Sequence, residues 1–121
     1  MDELILHIGT HKTGTTSIQQ VLVSMAEDLS SAGFLYPSEG RPRCGPIWGH
    51  HLLAWSVRQV RGCHDHRSWS KVVEEIREKQ PTVAIVSSED FETCSDGEIR
   101  QVKAHLKPFS VHVLVYLRNQ L

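Results

Sequence analysis

The sequence predicts one α/β domain, built on a parallel sheet with helices on both faces. Residues 4–8, 83–87 and 111–117 form apolar or β-branched runs with the length of buried strands. Amphipathic helical patterns lie between these runs, and right-handed crossovers between parallel strands place such helices on both faces of a sheet. A chain of 121 residues fits a single core, so we assign residues 1–121 to one domain.

The N-terminal third predicts a strand, a tight loop, a helix and a short second strand. The first strand, residues 4–8, ends at Gly9. The helix is predicted from apolar residues at the spacing i, i+3, i+4, i+7 and i+11, which are Ile18, Val21, Leu22, Met25 and Leu29. Gly33 can close this helix, and residues 34–36 form a short strand. Residues 38–49 are rich in Gly, Pro and Arg, which predicts a loop.

Two helices are predicted in the middle of the chain. The first covers residues 50–61, and its apolar positions are Leu52, Leu53, Val57 and Val60. The second ends before Pro81, and its apolar positions are Trp69, Val72, Val73 and Ile76, again at helical spacing. The β-branched run 83–87 then predicts a strand.

The C-terminal third predicts one helix and one strand. Ser95 and Glu98 have the spacing of a capping box at the start of a helix that Pro108 ends. Residues 111–117, VHVLVYL, are the clearest candidate for a buried strand. No later element of the chain is there to cover its outer side, so we expect exposed apolar surface and self-association through this strand.

Composition argues against several classes of partner. The net charge is −1 with the eight histidines neutral, so the chain lacks a global basic field that would attract nucleic acid. No window approaches the roughly 20 apolar residues of a membrane span, and the N-terminus lacks a signal-peptide pattern. Cys44, Cys63 and Cys94 are an odd number at wide separations, which argues against a disulfide framework. We expect a soluble cytoplasmic protein with reduced thiols, and neither a nucleic-acid nor a membrane partner.

The loop after the first strand has the parts of an anion-binding cradle. Residues 9–16, GTHKTGTT, combine flexible backbone N–H groups, hydroxyl groups and one ammonium at the start of a helix. The spacing Gly9-x4-Gly14 resembles a nucleotide-binding P-loop, but Thr15 stands where that motif has its lysine. Lys12 lies two residues before Gly14 instead. Because the motif's lysine reaches the β- and γ-phosphates of a magnesium-bound nucleotide, its displacement argues against a magnesium-dependent NTPase or kinase.

The string HIGTHKTGTTSIQ, residues 7–19, is similar to the 5′-phosphosulfate loop of the sulfotransferase family, whose donor is 3′-phosphoadenosine 5′-phosphosulfate (PAPS). The resemblance implies a P-loop NTPase-like three-layer sandwich that transfers a sulfuryl group to a hydroxyl or amine. It implies that seven loop residues bind the donor, namely His11, Lys12, Thr13, Gly14, Thr15, Thr16 and Ser17. Lys12 would also act in catalysis, because its ammonium can meet negative charge on the leaving phosphate.

A second part of the resemblance lies near the end of the chain. Arg118 follows the last predicted strand in the string YLRNQ, and it resembles the arginine with which the family binds the donor's 3′-phosphate. A guanidinium suits bidentate phosphate binding. The family pattern continues with a serine and further helices beyond the end of this chain. We therefore expect an N-terminal portion of the family's domain, incomplete at the C-terminus and inactive if the missing part is essential.

Candidates for a general base come from two places in the sequence. Ser88, Glu89 and Asp90 directly follow the strand 83–87, and ligands of parallel sheets lie outside the carboxyl ends of the strands. Glu89 is one candidate for the group that takes the acceptor's proton. His51, in the pair His50–His51, is the other, since a glutamate or a histidine works if its pKa is tuned toward neutrality.

A zinc site is the less favoured interpretation of a third cluster. Cys63, His64 and His66 could ligate zinc together with His50 or His51. Zinc sites usually show two spaced ligand pairs, whereas these three residues crowd into one short segment. A polar loop is the better interpretation, and we expect no metal.

Three functions remain open from the sequence. The first is a PAPS-dependent sulfotransferase that acts on a small-molecule or saccharide acceptor. The second is a phosphoryl-transferring P-loop kinase, which the position of Lys12 disfavours. The third is a non-catalytic anion-binding module.

Overall fold

A computed structural model describes residues 2–9, 15–58 and 67–115. The four strands are β1 (Glu3–His7), β2 (Phe34–Leu35), β3 (Val83–Ser87) and β4 (Ser110–Leu114). The five α-helices are α1 (Thr15–Ser24), α2 (Ala26–Ser31), α3 (His51–Arg58), α4 (Arg67–Lys79) and α5 (Asp96–His105). A short 3-10 helix, Glu89–Thr93, follows β3. The predicted alternation of strands and helices is confirmed.

The four described strands form one parallel sheet in the order β2-β3-β1-β4. From β1 the chain crosses β3 to reach β2, whereas from β3 it crosses β1 to reach β4. Right-handed crossovers in opposite directions place α1 and α2 on one face and α5 on the other. In agreement, α1 contacts α2, while α3 packs on α4 and α5. The connections that follow the neighbouring strands β1 and β3 therefore leave toward opposite faces, which is the position where such sheets bind ligands.

The hydrophobic core lies between the sheet and the layer formed by α3, α4 and α5. Leu4 and Leu6 of β1 lie level with Ala84 and Val86 of β3, and all four are buried. The helices contribute Leu53, Val57, Trp69, Val72, Ile76 and Val102 to the same cluster. The apolar pattern predicted for the second middle helix is confirmed, since three of its four positions are fully buried in α4.

The predicted apolar stripe of the first helix is wrong in part. The helix is interrupted at Met25, and Val21 and Met25 are 52% and 44% exposed. Gln19 is instead 1% exposed. Gln19 is buried because the start of α1 faces the polar carboxyl edge of the sheet, where its amide forms hydrogen bonds.

The prediction that the last strand is buried is also wrong. Among the described strands, β4 lies at the edge of the sheet and pairs with β1. Residues 116 and 117 of the predicted strand lie outside the described residues. Val113 is 60% exposed and Leu114 is 42% exposed. A run of β-branched residues indicates that a segment forms a strand. Whether that strand is buried depends on its place in the sheet and on the elements that pack against it. The exposed apolar surface expected at this strand is therefore confirmed for residues 111–115, whereas self-association through it stays a prediction.

Two local predictions are confirmed, the capping box at Ser95 and the loop at residues 38–49. Ser95 Oγ accepts the Glu98 N–H at 3.2 Å, and Glu98 Oε1 accepts the Ser95 N–H at 2.7 Å, which completes the capping box. Residues 38–49 form a connection without helix or strand. Within the described ranges, no helix has the length and apolarity needed to cross a membrane.

Replacing Gly40 by alanine should destabilise the fold. Gly40 has a φ of +83°, and a Cβ there would lie 3.0 Å from Leu53 Cγ and 3.0 Å from Val72 Cγ2. We expect Gly40→Ala to lower the free energy of unfolding by about 1–3 kcal/mol, measured by urea denaturation.

The matched control is Gly97→Ala in α5. A Cβ at Gly97 would meet no atom within 4 Å. Alanine is the better helix former, so this variant should be neutral or more stable by up to about 1 kcal/mol. Equal losses in the two variants would show that contacts at Gly40 do not limit stability.

Candidate functional site at the carboxyl edge of the sheet

The carboxyl ends of β1 and β3 are joined by buried polar groups. His7 and Ser87 are partners at the last position of the strand pair. His7 Nδ1 is hydrogen-bonded to Ser87 Oγ at 2.7 Å, and the Ser88 N–H donates to the His7 carbonyl at 3.1 Å. Ser87 and Ser88 are fully buried. The two central strands therefore end in a fixed relation to each other.

Gln19 connects α1, the helix after the loop, to the end of β3. Its Nε2 donates to Ser87 Oγ at 3.0 Å and to Glu89 Oε2 at 3.1 Å. One amide nitrogen carries two hydrogens, so both bonds can form together. The Glu89 carboxylate is thus held beside the helix that begins directly after the predicted anion loop. The sequence does not mark Gln19 as a site residue, because a single polar residue beside an apolar stripe carries no signal of burial.

His51 is held by a second set of polar contacts. Its Nδ1 lies 2.7 Å from Ser88 Oγ, to which it is hydrogen-bonded, and 3.5 Å from Asp90 Oδ2. Asp90 Oδ2 also accepts the Trp55 indole N–H at 2.6 Å, and the His51 ring stacks on Trp55 with centroids 5.9 Å apart. His51 is 3% exposed. These contacts fix the orientation of the imidazole.

Gly49 is the point where His51 and Gln19 converge. A Cβ at Gly49 would lie 2.7 Å from His51 Nε2 and 2.8 Å from both terminal atoms of the Gln19 amide. Real Cβ atoms do not approach other atoms so closely, so any larger residue would displace one of the two side chains. The absence of a side chain at Gly49 brings His51 next to the Gln19–Glu89 pair.

His50 has a structural role that differs from that of His51. Its Nδ1 accepts the Ser87 N–H at 3.0 Å, so Nε2 carries the proton and donates to the Pro37 carbonyl at 2.8 Å. Both ring nitrogens are occupied, which leaves none for a metal or a substrate. Complete burial lowers the pKa of His50 to about 3 and keeps the ring neutral.

The electrostatics of His7 follow from its position. Burial lowers the pKa of His7, and the nearby Glu89 carboxylate acts in the opposite direction. The desolvation effect is the larger of the two, so the neutral ring is favoured at neutral pH.

The structure describes only part of the sequence-predicted site. Glu89, His51 and Ser17 are described, and Ser17 is exposed on α1. Thr15 and Thr16 form the first residues of α1. His11, Lys12, Thr13, Gly14 and Arg118 lie outside the described residues, as do Cys63, His64 and His66. In the part of the chain that is described, no group of three or more His, Cys, Asp or Glu side chains is arranged to hold a metal.

Comparisons with known proteins found no family model, no curated protein and no solved structure that matches this chain. The fold and the site therefore define its class. It is an α/β protein with an all-parallel described sheet, whose central strands end in a cluster of carboxylates, histidines and an amide. Such a cluster can position a base and bind polar ligands.

Stability should fall with acidification through the titration of His50. The pKa of His50 is about 3 in the folded protein and 6.5 ordinarily, so between these values the unfolded chain binds a proton that the folded protein does not. The stability that this difference provides is complete above pH 6.5 and is lost as the pH falls below it. We expect a slope of up to about 1.4 kcal/mol per pH unit from this group, measured by urea unfolding between about pH 6 and 5.

The variant His50→Gln should reduce that slope, whatever its effect on stability at neutral pH. His112→Gln is the control, because His112 is 61% exposed at the sheet edge. An unchanged slope in His50→Gln would show that His50 does not titrate differently in the two states.

Proposed function

We propose that this protein is a PAPS-dependent sulfotransferase that transfers a sulfuryl group to a hydroxyl or amine acceptor, in a P-loop NTPase-like sandwich. One observation carries the proposal. The string HIGTHKTGTTSIQ connects a central strand of a parallel sheet to a helix, at the position where the crossovers diverge. An anion bound there would face backbone N–H groups and the positive end of the helix dipole.

The loop residues would bind the 5′-phosphosulfate of the donor. Lys12 and the hydroxyl groups of the loop supply hydrogen-bond donors for the negative charge that develops as the bisphosphate leaves. Arg118 would bind the 3′-phosphate through its guanidinium. Neither role requires a metal ion, because the cationic side chains supply the positive charge.

Glu89 is the general base in this proposal. It is half-buried, follows a central strand, and its Oε2 accepts from Gln19 of the helix after the loop. In the reaction the acceptor oxygen or nitrogen forms a bond to sulfur, and the bond from sulfur to the phosphate oxygen breaks. The acceptor's proton passes to the Glu89 carboxylate, and the bisphosphate leaves with the electron pair. Gln19 orients the Glu89 carboxylate, and the second hydrogen bond of its amide, to Ser87, holds Gln19 itself in place.

His51 is the competing candidate for the base. Its Nδ1 is bonded to Ser88 and lies beside Asp90, which would leave Nε2 as the reactive nitrogen. Its 3% exposure favours Glu89, because an acceptor must reach the base.

We expect the chain to bind 3′-phosphoadenosine 5′-phosphate more tightly than ATP, with no change when EDTA removes magnesium.

Lys12→Ala should weaken this binding by about 1.5–3 kcal/mol, the range for a hydrogen bond to a charged group, as measured by calorimetry. Arg118→Ala should weaken binding of ligands that carry a 3′-phosphate and leave other ligands unaffected.

Lys103→Ala is the matched control, since Lys103 is an exposed lysine on α5. Tighter binding of ATP that EDTA abolishes would favour the kinase alternative. Bisphosphate binding without turnover would favour the non-catalytic module.

Replacing Glu89 by glutamine should lower the rate of sulfuryl transfer by about 10²–10⁴-fold and leave donor affinity unchanged. A glutamine can still accept the hydrogen bond from Gln19, so the change removes the base and keeps the geometry. The measurement is kcat from release of the bisphosphate, with the exposed Glu27→Gln as control. A larger loss in His51→Asn than in Glu89→Gln would reassign the base to His51.

A further inference from the structure

A cleft of about 530 Å³ lies beyond the carboxyl end of β2, outside the site described above. The segment after β2 forms one wall, and helices α3 and α4 form the other. Three cationic side chains line it, those of Arg41, Arg43 and Lys71. Glu39 is the one acidic residue that lines the described cleft. A net positive cleft in a chain of net charge −1 is a local feature that fits an anionic ligand.

Arg41 gives the most direct indication of a ligand. Its Nε is buried, and among the described residues it has no hydrogen-bond partner. Its guanidinium carbon lies 5.6 Å from the centre of the Tyr36 ring, so the group is held in place by a cation–π contact. Arg41 also lines the cleft, and its guanidinium carries further N–H donors that an oxyanion there can accept.

The wall that carries the arginines is anchored to the helices. The Glu75 carboxylate, 9% exposed, accepts the backbone N–H groups of Ser38 at 3.0 Å and Glu39 at 2.9 Å. The Gly40 carbonyl accepts the Leu52 N–H at 3.1 Å. A cleft built in this way exists before the ligand arrives, which reduces the ordering cost of binding.

The remaining lining of the cleft indicates the rest of the ligand. Ile47, which is 38% exposed, and Leu52 offer apolar surface beside the arginines. Lys71 also borders a surface that contains Glu74 and Glu78, so its charge is partly balanced. The arginines therefore dominate recognition of the anionic group.

We propose that this cleft binds a small molecule that carries a phosphate, sulfate or carboxylate group on an apolar body. The proposal is independent of the proposed sulfotransferase activity. A guanidinium pairs with either planar or tetrahedral oxyanions through two parallel hydrogen bonds, so these groups share one recognition chemistry.

The test is a titration followed by nuclear magnetic resonance of the arginine Nε–H signals. Phenyl phosphate and benzoate are the anionic probes, which separate the two kinds of oxyanion, and benzyl alcohol is the neutral probe. We expect at least one anionic probe to shift the Arg41 Nε–H signal, and benzyl alcohol to leave it unchanged. Arg41→Gln should weaken binding about tenfold or more, equivalent to about 1.4 kcal/mol.

Two controls separate this cleft from other anion sites. Arg100→Gln changes an exposed arginine on α5 outside the cleft and should leave affinity unchanged. Lys12→Ala should also retain probe binding, because Lys12 belongs to the loop after β1. Loss of binding in Lys12→Ala, or equal binding of benzyl alcohol, would overturn the proposal.

A third variant keeps the proposal testable if Arg41→Gln fails to fold. Arg43 is exposed, so Arg43→Gln should fold and should weaken binding of the anionic probes. In the wild type, affinity should also fall when salt is raised from about 0.05 M to about 0.5 M, because the interaction is between charges. Affinity that is unaffected by both changes would show that the arginines do not bind the ligand.

Discussion

The site depends on the complete hydrogen bonding of Ser87 at the end of β3. Its Oγ is bonded to His7 of β1 and accepts from Gln19 of α1. Its backbone N–H donates to the His50 ring, and its carbonyl accepts the His50 backbone N–H at 2.7 Å. Because these groups are buried, the loss of any one of these hydrogen bonds would leave a polar atom with neither a protein partner nor water to bond to. One serine thus connects four separate segments of the chain, those of His7, Gln19, His50 and Ser87 itself.

The fully buried polar residues of this region differ in position from Glu89, which is partly accessible. His7 and His50 are each hydrogen-bonded to Ser87, and all three residues are buried, which suits them to a structural role. Glu89 is half-buried and is positioned by this group through Gln19. A carboxylate that is oriented by buried, hydrogen-bonded side chains has the fixed geometry that the proposed role of Glu89 as a base requires.

Gly49 imposes a steric constraint on the same region. Because Gly49 has no side chain, His51 and Gln19 can approach the same point. The adjacent His50 is hydrogen-bonded to Ser87, which fixes this segment against the end of β3. The segment that leads into α3 therefore shapes both the carboxyl edge of the sheet and, through Arg41 and Arg43, the cationic cleft. The placement of this segment depends on Glu75 of α4, whose carboxylate accepts two of its backbone N–H groups.

Some of this structure follows from the sequence alone, because the signals are local. The strands at residues 4–8 and 83–87 are within one residue of the observed β1 and β3, and the apolar spacing in α4 identifies its buried face. The capping box at Ser95 was also predictable, since both partners lie within one helical turn.

Other features were decided only by the tertiary structure. Gln19 is buried because its partners Ser87 and Glu89 lie 68 and 70 residues away, and no local pattern reports such a pairing. His50 and His51 are adjacent in sequence, yet their rings have different hydrogen-bond partners. The His50 ring has a structural role, whereas His51 lies near Gln19, the residue that is hydrogen-bonded to Glu89. β4 has the composition of a buried strand but lies at the edge of the sheet that the described strands form. Periodicity and propensity describe a segment, whereas burial depends on which other segments pack against it.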